Sequence, residues 1–380
     1  MRLVESKIPP PSAELRRRGI ELALADLAKY GVTSAQDNSA WEDFLTYRAI
    51  KNDGKLTVRI TEWLPFAAPL EKLEQLRRDG GTTDPWLRTG ALKLVADGAL
   101  GSRTAAMLAP YSDDPSTSGI MTMEPEKIKT LAIERDKAGF QLNFHAIGDR
   151  TNRVALDAFE AAAKANGPRD RRDRIEHAQV VALSDFPRFA RLQVIASMQP
   201  SHETSDMRWA EQRVGPERIK GAYAWATMQK FGIRLAFGTD YDVEPITPFR
   251  GLYACVTREL PDGGPQGGWQ PQEKISLEDC IRAYTSGSAW RIHGREEGRI
   301  KGWRVCRLHR AFERPHQGRT ARVHQDQSAA NGGWRPHRLH RAVVSLHCKA
   351  LHKPCRIQAA GARNWRWRSA RCCGVRRLSS

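Results

Sequence analysis

The strongest constraint on this chain is the alternation of short apolar runs with stretches of helical spacing. Strand-like runs fall at 32–37, 56–60, 91–96, 140–145, 174–178, 193–198 and 233–238. Between them lie helical patterns. Ser12 is placed to cap a helix whose Ile20, Leu24 and Leu27 share one face and which Gly31 ends. Ile128, Leu131 and Ala132 mark a helix stopped near Gly139; Leu156, Phe159 and Ala163 mark another; Ile219, Tyr223 and Ala226 mark a third. Repeated strand-then-helix units imply a parallel sheet, and at this length they predict an α/β chain built as a (β/α)8 barrel. The rival is a doubly wound open sheet. No Gly-x-Gly-x-x-Gly turn follows the first strand, so a nucleotide-binding version has little support.

Polar residues gather where the strands end. His145 closes the run 140–145, with Gln141, Asn143 and His145 on one face and Phe140, Leu142 and Phe144 on the other. His177 ends the next run and Asp240 follows the last, while Lys93 sits inside the run 91–96. All strand C-termini of a parallel barrel meet at one rim, so residues far apart in sequence can share a pocket there. Two imidazoles and a carboxylate on separate strands suit a borderline divalent cation such as zinc. Such an ion acidifies a bound water and polarises a carbonyl. Asp240 can take the water's proton and pass it to a leaving nitrogen. A lysine beside a cation is unfavourable as an ammonium; carboxylated on its amine, Lys93 becomes an anion able to bridge two ions. Each residue also has a plain structural reading: a hydrogen-bonded histidine, a helix-capping aspartate, or a lysine paired with Asp97.

The formal charge of +18 points at first to nucleic acid. Its location argues otherwise. Residues 301–380 hold 19 Lys/Arg against 2 Asp/Glu, leaving 42 basic and 41 acidic residues in the first 300. Only Cys255 and Cys280 lie in that nearly neutral body, and they read as buried thiols of a reducing compartment. No apolar stretch approaches the roughly 18–20 residues of a membrane span, and no signal peptide is evident at the N-terminus. A cytoplasmic location is the expectation.

The run from Lys93 to Ala105 (KLVADGALGSRTA), followed by Pro110-Tyr111, closely resembles the amidohydrolase superfamily. So do His145-Ala146-Ile147-Gly148-Asp149, Ile175-Glu176-His177-Ala178-Gln179, Gln199-Pro200-Ser201-His202 and Gly238-Thr239-Asp240. Within it the match is similar to the branch containing N-substituted formamide deformylase, and it covers residues 1–301. The resemblance implies a (β/α)8 barrel beside a small β-sandwich, one or two divalent ions, and hydrolysis of a small-molecule amide or similar C–N bond. It implies His145, His177 and Asp240 as metal ligands, Asp240 also as the catalytic base, and Lys93 as bridging ligand. It sets Asp97, Arg103 and His202 in substrate-facing loops.

Such enzymes carry a His-x-His pair on the first barrel strand. Here the first histidine is His145, and Met1-Arg2-Leu3-Val4-Glu5 already resembles mid-domain sequence. The reading is a barrel lacking its first strand, two ligands and most of its sandwich, with impaired activity. Residues 302–380 are rich in Arg, His, Trp and Cys without periodicity. They read as a basic disordered arm that could contact nucleic acid, or as a Cys/His cluster at Cys348, His352 and Cys355. A third reading fits better. Taken one base over, permitted codons spell two strand-like segments, FADFIVL and KVLRTVVGGRTVY, which resemble closing sandwich strands. The expectation is a frameshift near Gly302, open to test in the coding DNA, with a fragment or pseudogene product as the alternative to an enzyme.

Overall fold

A computed structural model describes residues 8–290. The elements run α1 (Ala13–Lys29), β1 (Ser34–Asp37), α2 (Trp41–Asn52), β2 (Arg59–Pro65), α3 (Leu70–Gly80), β3 (Leu87–Val95), α4 (Pro125–Lys137) and β4 (Leu142–Ala146). Then follow α5 (Asp149–Asn166), β5 (Arg174–His177), α6 (Phe186–Arg191), β6 (Ile195–Met198), α7 (Pro200–Asp206), α8 (Ala210–Arg218), α9 (Trp225–Lys230), β7 (Leu235–Phe237), α10 (Pro248–Thr257) and α11 (Leu277–Arg282). The seven strands pair in chain order, each parallel to its neighbour. The sheet curls far enough that Arg174 on β5 donates to Gln36 on β1.

The two faces of a strand see different surroundings. Phe144 of β4 points outward and meets Phe66 edge-on at 5.0 Å and Phe159 of α5 at 4.9 Å. Burying an aromatic or aliphatic side chain of this size contributes about 1.5–3 kcal/mol, so the outward stripe fixes which face each strand turns to the helices. A second cluster joins Ile20 and Leu24 of α1 to Phe44 and Ile50 of α2 and to Ile60 of β2. Ser12 Oγ caps α1 by accepting from Leu15 N–H at 3.2 Å. Inside the curl the character changes. Arg174 is fully buried and paired with Glu176, and both bond Ser197 of β6.

Two expectations are corrected. The helix through Ile219, Tyr223 and Ala226 is split into a 3-10 turn (Ile219–Gly221) and α9, with Tyr223 at φ 49°. The cause is a short antiparallel bridge, in which Val181 N–H bonds Gly221 C=O and Tyr223 N–H bonds Gln179 C=O. A Cβ on Gly221 would lie 1.9 Å from the Val181 oxygen, so glycine permits the approach. The second concerns cysteine. Cys255 and Cys280 are not thiols but form a disulfide joining α10 to α11. That removes the argument from free thiols to a reducing compartment.

No helix among the described residues is long and apolar enough to cross a membrane. The basic tail, its Cys/His spacing and the shifted-frame strands at 302–380 lie outside the described residues.

Candidate metal centre

Three side chains from three successive strand ends come together. The ligand atoms of His177, His202 and Asp240 lie within 4.8 Å of one another. His177 ends β5, Asp240 follows β7, and His202 stands in the first turn of α7 directly after β6. His202 Nε2 is 3.5 Å from Asp240 Oδ2, and its ring stacks on that of His177 with centroids 5.7 Å apart. Backbone strain is present here. His177 (φ 73°), Ala178 (φ 42°) and Asp240 (φ 56°) all occupy the left-handed region, which is costly for residues other than glycine.

Electrostatics keeps the imidazoles neutral. Burial pushes His177 well below the ordinary histidine range, and nearby His145, His202 and Lys93 push the same way. Burial also lowers His202, against the opposing pull of Asp240 and Glu244. Neutral rings keep lone pairs for a cation. His202 Nε2 is buried without a hydrogen-bond partner, which fits a group whose partner is an ion. Two imidazoles and a carboxylate form a donor set suited to zinc.

Of the other predicted residues, His145 and Lys93 lie near His177. His145 packs edge-on against His177, centroids 4.5 Å apart. Its Nε2 lies 3.1 Å from the Gly98 carbonyl and 3.3 Å from Asp97 Oδ1. A carbonyl only accepts, so Nε2 is the donor there, and Nδ1 is the nitrogen not engaged by these two groups. Lys93 Nζ sits 4.9 Å over the Trp63 ring, which also has the Arg174 guanidinium at 4.9 Å.

Asp97 is buried below the rim. Its oxygens accept from the N–H groups of Ala106 (3.0 Å), Ile147 (3.1 Å) and Gly148 (2.9 Å). The carboxylate thus ties the long loop after β3 to the loop after β4 and steadies His145 between them. Gly148 has no alternative there, since a Cβ would meet the Ala106 oxygen at 2.0 Å. Asp149 completes the fastening by accepting from Leu108 N–H at 2.7 Å. Arg103 forms a bidentate pair with Asp113 at 3.0 Å for both bonds, and Arg213 shares that carboxylate.

Sequence reasoning grouped His145 with His177 and Asp240 and set His202 among substrate-facing residues. The structure places His202 in the trio and His145 beside it. Two contributors had no assigned role. Gln199 reaches His177 Nδ1 at 2.8 Å, and Trp63 underlies Lys93. Gln199 had a signal, its place in the run Gln199-Pro200-Ser201-His202; Trp63 had none.

Residues 1–302 match the model of an amidohydrolase family. The chain is 34% identical to Protein LONG AFTER FAR-RED 3 of Arabidopsis thaliana, covering 72% of this chain and 46% of the relative. It is 32% identical to the putative amidohydrolase YtcJ of Bacillus subtilis (strain 168), covering 79% and 56%. It therefore spans about half the length of these curated relatives. Among solved structures, an uncharacterized metal-dependent hydrolase from Pyrococcus horikoshii superposes with a TM-score of 0.66 at 30% identity, over 76% of this chain and 58% of that one. With seven parallel strands in barrel order and a histidine–aspartate cluster at their ends, the chain belongs to the amidohydrolase family.

Proposed function

We propose that this chain carries the hydrolytic centre of an enzyme that cleaves non-peptide C–N bonds, with small N-formyl or N-acyl amines as the substrate class. The observation that carries the reading is the convergence of His177, His202 and Asp240 within 4.8 Å at the ends of successive strands. A divalent cation there, zinc being our choice, would supply Lewis acidity toward a carbonyl and a water. His177 and His202 would hold it through neutral nitrogens. His145 is the next candidate ligand, through Nδ1. Asp240 is more than a third exposed, and we assign it the proton: taken up at a carboxylate oxygen and returned to the departing nitrogen.

Lys93 remains our candidate for bridging two ions. Over Trp63 it lies as a cation would, so carboxylation would exchange that contact for ligation. Asp97 holds His145 in place in this reading, and Arg103 braces the loop after β3 through Asp113.

The test is to purify the full chain with added zinc or manganese, measure bound metal, and assay release of formate or carboxylate from N-substituted formamides and N-acyl amines. Metal in the wild type that is lost on His177→Ala, with turnover that follows it, is the expected result. A folded chain that takes up neither ion would overturn the reading.

A further inference from the structure

The amidohydrolase reading uses His177 as a ligand but gives no part to the buried amide beside it. We infer that Gln199 is a positioning residue that fixes the His177 ring with its proton on Nδ1, so that Nε2 keeps the lone pair a cation requires. The inference rests on the metal-binding reading above.

The contact itself is Gln199 Oε1 to His177 Nδ1 at 2.8 Å. An amide can be turned over, so its orientation needs an independent argument. Gln199 Nε2 lies 3.4 Å from the Ser197 carbonyl, a group that only accepts. Reversing the amide would set oxygen against oxygen there. The oxygen therefore faces the imidazole, and Nδ1 must donate. Both residues are buried, with His177 at 8% and Gln199 at 7% exposure, so water does not readily replace either partner.

Gln199 is held on two sides. It is the extended N-cap of α7, followed by Pro200 at the first helical position. Its carbonyl accepts from His202 N–H at 3.0 Å. One short turn therefore sets the amide that grips His177 and the second imidazole that stacks on the same ring. Beneath it, Ser197 Oγ donates to Glu176 Oε2 at 2.8 Å and receives Arg174 Nη2 at 3.1 Å, which locks β6 to β5 just below His177. Partners of this kind fix the tautomer and angle of a ligating histidine, and losing one typically weakens metal binding about 10–100-fold.

The experiment uses the full chain labelled with nitrogen-15 in histidine, with the His177 signals assigned by their loss in His177→Gln. In metal-free wild type the proton is expected on Nδ1. Gln199→Leu is expected to lose that single tautomer and to raise the zinc Kd by about 10–100-fold. Gln199→Glu keeps an acceptor and should restore both. A wild-type proton on Nε2 overturns the inference without any variant, which protects the test if the leucine variant does not fold. A folded Gln199→Leu with unchanged tautomer and zinc affinity overturns it as well. Should wild type bind no zinc, the metal reading fails, while the tautomer still decides whether Gln199 holds the ring.

Discussion

At the residue scale, the roles assigned to Asp240 and His202 separate cleanly. Asp240→Asn keeps the side chain's size but not its capacity to hold a proton. Turnover is expected to fall by about 10²–10⁴-fold, with bound metal reduced as well, as kcat and elemental analysis would show. His202→Ala removes a donor and is expected to weaken zinc binding while leaving His177 in its tautomer. The trio was only partly legible beforehand. His177 and Asp240 end apolar runs, so periodicity pointed to the rim. The exchange between His145 and His202 was not readable, because it depends on how side chains turn beyond the strand. The Gly98 carbonyl and Asp97 claim one nitrogen of His145, while the short turn after β6 swings His202 over His177. Nothing in the spacing of these residues encodes either event.

At the element scale, the strands were legible because one face of each is apolar. What joins the elements was not. Cys255 and Cys280 are 25 residues apart, and only the packing of α10 on α11 makes them partners. Closing a loop of that length stabilises by about 3.5 kcal/mol in the chain-entropy account. The double variant Cys255→Ser/Cys280→Ser should lose stability of that order in urea unfolding, and reductant should then have no further effect. Glu62 supplies a second test, on β2. Burial, reinforced by Asp37, raises its carboxyl to about 9, against an ordinary value near 4.5. The folded state therefore binds this proton more tightly than the unfolded chain. Its stabilising effect is complete below about pH 4.5 and is lost as pH rises through about 9. Unfolding midpoints should decline over that interval, and Glu62→Gln should flatten the decline. An unchanged slope in that variant would remove Glu62 as the cause.

At the scale of the whole molecule, the proposed ion binding would be linked to folding. A ligand that binds only the folded state at 100 times its Kd stabilises by about 2.7 kcal/mol. Stripping the protein with a chelator should therefore lower its Tm, zinc should restore it, and Asp240→Asn should blunt the response. The interior beneath the centre has its own signature. The bond from Arg174 to Gln36 runs from the fifth strand to the first, and the same guanidinium pairs with Glu176. Two residues, Ile175 and Glu176, separate Arg174 from His177 along one strand. The polar floor thus acts as a tie-rod under the proposed metal ligands, and slack at the first strand would reach the His177 ring without touching any group around it.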